Sequence, residues 1–272
     1  MTSIAAKILY VTQEIFPYLP ASEIATLCRE LPQAIQEKGK EIRTFMPRYG
    51  CVNERRNQLH EVIRLSGMNL IIDDTDHQLI IKVASIQAAR MQVYFIDNEE
   101  YFRRKATVVD ENGAEFADND DRAVFFARGV LETVKKLRWT PDIIHCHGWM
   151  AAALPILAKT AYKEDPFFAN AKIVYSVYDN PFEQVFSNRI ADKIKMEGIS
   201  DADLQLVANG ASFVDLSKLA IEYSDAVIQG SESIHPDVMD YAKKTQKMFL
   251  PYQDAQNYVT SYNDFYDQIL SK

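Results

Sequence analysis

The chain has 272 residues, 47% of them hydrophobic, which suits one large domain or two small ones with a sizeable core. Its formal net charge of −8 at pH 7 argues against nucleic acid or an anionic membrane as the main partner, because both carry negative charge. Three widely spaced cysteines, Cys28, Cys51 and Cys146, argue against a disulfide framework and against a cysteine-based zinc site.

The N-terminal part alternates between strand and helix patterns, as in a parallel α/β sheet. Lys7–Thr12 predicts a strand, residues 22–38 predict a helix that ends at Gly39, and Glu41–Met46 predicts a second strand. The residues before this first strand are too few for the apolar region of a signal peptide, and no apolar run approaches the length of a membrane span. We therefore expect a cytoplasmic protein with no membrane association.

Between residues 60 and 97 the hydrophobic period changes to two, which predicts short strands. The predicted strands are Glu61–Leu65, Met68–Asp73, Gln78–Ile86 and Met91–Ile96, and a loop follows at Tyr101–Arg104. We interpret this region as a β-rich excursion of hairpins at one end of the sheet.

An acidic run at residues 118–121 precedes a predicted helix over Arg122–Leu137. The run suits either a metal site or a set of N-terminal caps, and we favour the caps because carboxylates suit the positive end of the helix dipole. The predicted core face of the helix consists of Phe125, Phe126, Gly129, Val130 and Val134.

The segment Pro141–Pro155 predicts a buried strand over Asp142–His147, a turn at Gly148 and a helix from Trp149 to Ala161. On the strand, His145 and His147 share one face and Cys146 points the other way. In a doubly wound sheet, ligands bind where strand C-terminal ends meet helix N-terminal ends. A metal site at the two histidines lacks a third ligand with a supporting pattern, so we favour a buried, hydrogen-bonded pair.

The same alternation continues beyond this segment. The predicted elements are a strand at Lys172–Asp179, short surface helices within 190–210, a helix at Phe213–Ser224, a strand at Ala226–Gly230 and a helix at Glu232–Lys244 capped by Ser231. After Pro251, Asp254–Leu270 predicts an amphipathic helix whose apolar face is Tyr258, Tyr262, Phe265, Tyr266 and Ile269.

These elements together predict a single Rossmann-like α/β domain with a doubly wound, mostly parallel sheet and a β-rich excursion. We place the domain body at residues 1–250 and a C-terminal packing helix of the same domain at residues 251–272.

Several segments resemble, in order, motifs of bacterial glycogen synthases and plant starch synthases. Pro141–Pro155 resembles D-(I/V)-(I/V)-H-x-H-D-W-H/Q-(T/A)-(G/A)-L-x-P, although Gly148 replaces the family's Asp and Met150 replaces its frequent His. The other matching segments are Lys7–Glu14 with Pro17, Met46–Tyr49, Tyr101–Arg104, Phe116–Asn119, Arg122–Glu132, Ser176–Phe186 and Lys218–Ser233. Motifs in this order are specific for the family.

The resemblance implies the N-terminal half of a GT-B glycosyltransferase, whose active site lies between two Rossmann-like domains. Family members transfer glucose from ADP-glucose to an α-1,4-glucan, with retention of configuration and without a metal. We expect this chain to lack the nucleotide-binding C-terminal domain and to hold no cofactor. The last helix resembles the family's closing helix; an unrelated helix that covers an apolar patch is the alternative.

The family's donor loop, K-x-G-G-L-x-D, corresponds to residues 20–26. Here Pro20 replaces the lysine, Ser22 and Glu23 replace the two glycines, and Thr26 replaces the aspartate near the sugar. The cation is lost, and the Glu23 carboxylate opposes the binding of a diphosphate. Ser22 and Glu23 therefore mark a degenerate donor loop, and Thr26 joins the two histidines of the central strand as a candidate catalytic residue.

The acceptor-side loop keeps its aromatic character but not the family's polar residues. The candidate substrate-binding residues are Trp149, Met150, Tyr178, Asp179 and Phe182. The resemblance places them at the sugar, and the aromatic faces of Tyr178 and Phe182 suit the apolar side of glucose. Core or cleft-wall positions are the alternative. Without a second domain, Met150, Tyr178 and Phe182 would be uncovered, so we expect a partner chain or a homodimer through this exposed cleft face.

Three functions compete. The first is a glucosyltransferase whose nucleotide-binding half comes from a partner chain. The second is a catalytically degenerate glucan-binding or regulatory module for α-1,4-glucan or maltooligosaccharide. The third is a generic Rossmann protein that binds a sugar phosphate or nucleotide. Because a preorganised charged site is missing, we expect the isolated chain to be inactive.

Overall fold

The computed structural model describes residues 5–272, and within that range ten strands form one sheet. The strands are β1 (Lys7–Thr12), β2 (Glu41–Pro47), β3 (His60–Glu61), β4 (Met68–Ile72), β5 (Thr75–Ile86), β6 (Met91–Asp97), β7 (Ile143–His147), β8 (Lys172–Val177), β9 (Ala226–Gln229) and β10 (Met248–Leu250). Their order is β10-β9-β8-β7-β1-β2-β6-β5-β3, with β4 paired to β5. All pairs from β10 to β6 are parallel, and β3, β4 and β6 pair antiparallel with β5. The mostly parallel sheet with a β-rich excursion is confirmed.

Helices connect these strands. The helices are α1 (Glu23–Glu37), α2 (Glu54–Asn57), α3 (Glu99–Phe102), α4 (Asn119–Leu137), α5 (Leu154–Lys159), α6 (Arg189–Ile194), α7 (Phe213–Glu222), α8 (Pro236–Lys244) and α9 (Tyr258–Leu270). In the part of the chain that the structure describes, no helix is both long and apolar enough to cross a membrane.

The two faces of the sheet bury different sets of side chains. Successive residues of a strand point to opposite faces. Ile8 and Tyr10 of β1 pack in one cluster with apolar residues of α1 and α9. Leu9 and Val11 pack in the other cluster with α4, α5 and α7. Helices therefore cover both faces, as predicted for a doubly wound sheet. The division of the chain at residue 250 stays a prediction.

The first strand of the β-rich excursion is shorter than predicted. Of the expected strand Glu61–Leu65, only Glu61 pairs with β5, together with the preceding His60. The chain then turns, and the Ser66 hydroxyl accepts the backbone N–H of Ile81 at 3.0 Å, so a side chain takes the place of strand pairing. The predicted strand over Glu61–Leu65 is therefore wrong beyond its first residue.

Local hydrogen bonds change three other predicted elements. The expected loop at Tyr101–Arg104 begins inside helix α3, because the Asn98 side chain caps it. The helix predicted from Glu232 begins at Pro236 and is capped by His235 instead of Ser231. The helix predicted from Trp149 is a short 3-10 turn followed by α5, which has a proline in its first turn.

The acidic residues at the start of α4 form ion pairs with basic side chains of the protein itself. Asp118 contributes no capping hydrogen bond from its side chain and instead pairs with Arg104 at 2.6 Å. Lys193 Nζ lies 2.7 Å from Asp120 and 2.9 Å from Asp121. The expected side-chain cap is wrong, because opposite charges occupy the carboxylates; Asp120 and Asp121 still lie in the first turn, where they suit the helix dipole.

Candidate functional site

The candidate site lies at the carboxyl ends of β1 and β7, where both strands turn into helices. Gly148 follows β7 with φ of 78° and ψ of 169°, a backbone conformation that residues other than glycine rarely adopt. A Cβ at this position would collide with the side chain of Gln13, which follows β1. The Gln13 Oε1 atom accepts the backbone N–H of Met150 at 3.4 Å. Gln13 therefore fills the space where the family's aspartate would project.

Two buried histidines of β7 lie side by side on the face that α9 covers. The ring centroids of His145 and His147 are 3.8 Å apart. His145 Nδ1 lies 2.6 Å from the Tyr266 hydroxyl, and its Nε2 lies 2.7 Å from the Ser176 hydroxyl. His147 Nδ1 lies 2.7 Å from the Tyr178 hydroxyl. The predicted buried, hydrogen-bonded pair is confirmed, and the described part of the chain contains no group of three or more His, Cys, Asp or Glu side chains that could hold a metal ion.

Burial keeps both histidines uncharged at neutral pH. Desolvation lowers the pKa of His147 to about 3. Desolvation also lowers the pKa of His145 well below its ordinary value, and the neighbouring His147 adds to this effect. The pair therefore supplies no positive charge to a phosphate at neutral pH.

The face that was expected to be open is closed by the chain itself. Met150, Tyr178 and Phe182 are 0%, 1% and 6% exposed. Tyr178 packs on Gly230 so closely that a Cβ there would lie 2.6 Å from the tyrosine ring. The expectation of an exposed cleft face is therefore wrong. The homodimer or partner chain expected through this face loses its basis, because it depended on that exposure.

Aromatic side chains fill the space between the central strand and the acceptor-side loop. Trp149 packs edge-on against Phe182, with ring centroids 4.9 Å apart. Phe182 stacks on Phe186 at 4.4 Å. These contacts match the alternative that the residues are core or cleft-wall positions. Of the five candidate substrate-binding residues only Asp179 is exposed, and contact of any of them with a substrate stays a prediction.

The N-terminal end of α1 already has its own hydrogen-bond acceptors. Ser22 caps the helix as predicted, and its hydroxyl accepts the backbone N–H of Ala25 at 3.0 Å. The same hydroxyl donates to Glu14 at 2.5 Å. A carboxylate therefore lies where a helix N-terminus would otherwise attract an anion.

A second carboxylate of this loop is tied to the far side of the site. The Glu23 carboxylate accepts a hydrogen bond from the Ser231 hydroxyl, which follows β9. Ser231 in turn accepts the backbone N–H of Asp179 at 2.9 Å. The structure thus brings Glu23 and Asp179 together through Ser231.

A cavity of about 420 Å³ opens beside the donor loop. Ser22, Glu23 and Thr26 line one side, and Tyr258 and Tyr262 of α9 line the other. The structure therefore groups three of the predicted site residues around one cavity. The buried histidines lie behind Tyr262, whose ring centroid is 6.0 Å from that of His145.

Sequence reasoning missed Gln13, Glu14 and Ser231 as parts of this site. Ser231 was interpreted only as a helix cap, because its partners lie far away in the chain. The glycine at position 148 is the feature of the sequence that could have indicated Gln13. A glycine there leaves space for the side chain of a neighbouring residue, and Gln13 fills it.

Comparison with known proteins agrees with this architecture. The starch synthase catalytic domain family matches residues 7–249. The glycogen synthase of Chlorobium limicola is 36% identical over 236 residues, which are 84% of this chain and 48% of that protein. The glycogen synthase of Chlorobaculum tepidum is 36% identical over 220 residues, which are 77% of this chain and 44% of that protein. The chain thus spans about half the length of the curated relatives it matches.

A solved structure shows the same fold. The catalytic domain of starch synthase IV from Arabidopsis thaliana, bound to ADP and acarbose, superposes with a TM-score of 0.75 at 18% identity. The match covers 92% of this chain and 52% of that one. The order of motifs, the sheet and the family match agree, and the chain belongs to the starch synthase catalytic domain family.

Proposed function

We propose that these 272 residues are the glucan-side half of a glycogen/starch synthase-like protein of α-1,4-glucan metabolism, and that they do not transfer glucose from ADP-glucose by themselves. The family match supports the first part. The donor loop carries the second part: residues 20–26 contain no lysine or arginine, and Glu23 adds a carboxylate at the N-terminal end of α1.

The electrostatic repulsion by such a carboxylate is large enough to affect the binding of a diphosphate. Two like unit charges about 4 Å apart repel by roughly 1 kcal/mol in water and roughly 4 kcal/mol at an effective dielectric constant of 20. The Glu23 carboxylate at that distance from a diphosphate would weaken its binding by roughly five- to a thousandfold. The missing lysine removes an attraction of the same size.

Release of ADP from ADP-glucose in the presence of glycogen tests this proposal. We expect the 272-residue chain to show no turnover above a blank without enzyme. The triple variant Pro20→Lys, Ser22→Gly, Glu23→Gly restores the lysine and both glycines of the family's loop, and we expect it to stay inactive because the resemblance assigns the nucleotide pocket to the other half of the enzyme. Clear turnover by the wild-type chain would refute the proposal.

A catalytically degenerate glucan-binding or regulatory module is the second candidate. The tyrosine-lined cavity beside the donor loop favours it, because tyrosine faces suit the apolar face of glucose. Calorimetric titration with maltoheptaose should show binding that the Tyr258→Ala variant loses. Tyr241→Ala is the matched control, since Tyr241 also donates from its hydroxyl to a glutamate but lies on α8. If maltoheptaose produces no heat of binding, the glucan-binding hypothesis is contradicted, whereas the family assignment is unaffected.

We also propose a cytoplasmic location. The three cysteines are free, as is usual in a reducing compartment. Recovery of the native protein in a membrane or secreted fraction would contradict this.

A further inference from the structure

A second groove lies at the edge of the sheet opposite the donor loop. The strands β2 and β6 run parallel, so their amino-terminal ends meet at this edge. The groove has a volume of about 780 Å³. Four cationic side chains line it, Lys40, Arg43, Arg64 and Arg90, against one carboxylate, Glu41. The net charge of the groove is therefore positive, whereas the net charge of the whole chain is −8.

Arg43 is held rigidly at the floor of the groove. Its Nη1 donates to the Tyr94 hydroxyl at 2.7 Å. The guanidinium carbon lies 5.7 Å from the ring centroid of Tyr94 and 5.2 Å from that of Trp139. Its Nε is buried and has no hydrogen-bond partner in the described part of the chain. A fixed, partly buried guanidinium that makes one hydrogen bond in the described part of the chain is preorganised for an anion.

The other charged side chains of the groove do not form ion pairs with its arginines. Lys40 is neutralised by Asp267 at 2.9 Å. The Glu41 carboxylate accepts the indole N–H of Trp139 at 2.5 Å. Among residues 5–272, the arginines at 43, 64 and 90 form no salt bridge. Three unpaired guanidinium groups therefore share the groove with one carboxylate, Glu41, which leaves a net positive charge.

Uncharged polar groups lie beside the arginines. Thr44 of β2 pairs with Val93 of β6, so the preceding residues Arg43 and Gln92 are neighbours across the two strands. Gln92 in turn pairs with Ser85 of β5. With strands about 4.8 Å apart, this row spans roughly 10 Å and presents an amide and a hydroxyl next to the fixed guanidinium.

We propose that this groove binds a small phosphate ester of a polyol. The phosphate lies between the guanidinium groups of Arg43, Arg64 and Arg90, whose planar donors match phosphate oxygens. The hydroxyl groups of the ligand bond to Gln92 and Ser85. The groove is of the size that a small ligand fills.

The test uses the intact chain with three probes: glycerol 3-phosphate, inorganic phosphate and glycerol. Isothermal titration at about 50 mM salt should show that glycerol 3-phosphate binds more tightly than inorganic phosphate and that glycerol does not bind. The affinity should fall as salt is raised, because the arginines at 64 and 90 are exposed. Equal binding of phosphate and its ester would overturn the assignment of the hydroxyl contacts.

Matched variants separate the groove from general surface charge. The double variant Arg64→Gln, Arg90→Gln should weaken glycerol 3-phosphate at least roughly tenfold, since each lost contact is charge-assisted. The control Arg55→Gln, Arg56→Gln removes two exposed arginines of α2, outside the groove, and should leave the affinity within about twofold. The two variants change the net charge equally.

A third variant tests the fixed guanidinium. Arg43→Lys keeps the charge but loses the planar fork, and we expect it to weaken the ester roughly tenfold as well. Absence of binding by the wild-type chain would overturn the proposal. An equal loss in the control pair would overturn it too.

Discussion

The buried histidine pair should make the fold sensitive to mild acid. The unfolded chain binds a proton on His147 below its ordinary pKa of 6.5, whereas the folded protein binds it only below about 3. Between these values the unfolded state holds more protons, so stability is fully present above pH 6.5 and is lost as the pH falls. His145 acts in the same direction, because burial lowers its pKa as well.

The size of the loss follows from the two pKa values. Moving from pH 7 to pH 5 should remove about 1.9 kcal/mol through His147 alone, and His145 adds a further loss. The variant His147→Asn keeps a polar atom near the position of Nδ1, which faces Tyr178 at 2.7 Å, but has no group that titrates in this range. We expect its loss of unfolding free energy between the two pH values to be smaller than that of wild type by about 2 kcal/mol.

Urea unfolding followed by circular dichroism at pH 7 and pH 5 measures this difference. The comparison uses the change with pH within each protein, so a lower absolute stability of the variant does not affect it. His60→Gln controls for the loss of an imidazole at the surface. If wild type and His147→Asn lose the same free energy between the two pH values, the reasoning from burial is refuted.

Three further changes test other parts of the site and fold. Gly148→Ala should lower the unfolding free energy by about 1 to 3 kcal/mol, because the backbone there is nearly restricted to glycine; an unchanged urea midpoint would contradict this. Tyr266→Phe removes the hydroxyl that lies 2.6 Å from His145 Nδ1 and should cost about 1 to 3 kcal/mol, measured by thermal unfolding; a cost below about 0.5 kcal/mol would mean the hydrogen bond is not made in solution. Lys193→Met removes the cation that pairs with the buried Asp120 carboxylate and should destabilise the protein by about 3 kcal/mol at pH 7, measured by urea unfolding; a loss below about 1 kcal/mol would argue against the ion pair.

The parallel sheet could be predicted because its signals are local. Lys7–Thr12 and Ala226–Gln229 are short apolar runs between helical patterns, and the observed strands agree with the predicted ones to within one residue. The alternation at the central strand also placed Cys146 on the opposite face from its two histidine neighbours, as the structure shows.

The site was harder to predict because its contacts join distant parts of the chain. Ser231 and Glu23 are 208 residues apart, so no local pattern links them. The exposure of Tyr178 was predicted wrongly because the expected cleft was inferred from the family's two-domain form, whereas packing on Gly230 buries the ring. Burial of an aromatic residue depends on what packs on it, which a motif does not specify.

The packing of α9 has a consequence for how the protein is made. Glu30 of α1 is synthesised 228 residues before Tyr258, its hydrogen-bond partner on α9. At about 5 to 20 residues per second, a ribosome needs roughly ten to fifty seconds to make the intervening chain. During that time the apolar face that Ile8 and Tyr10 share with α1 has no cover from α9. The nascent chain should therefore be a substrate for ribosome-associated chaperones until α9 emerges.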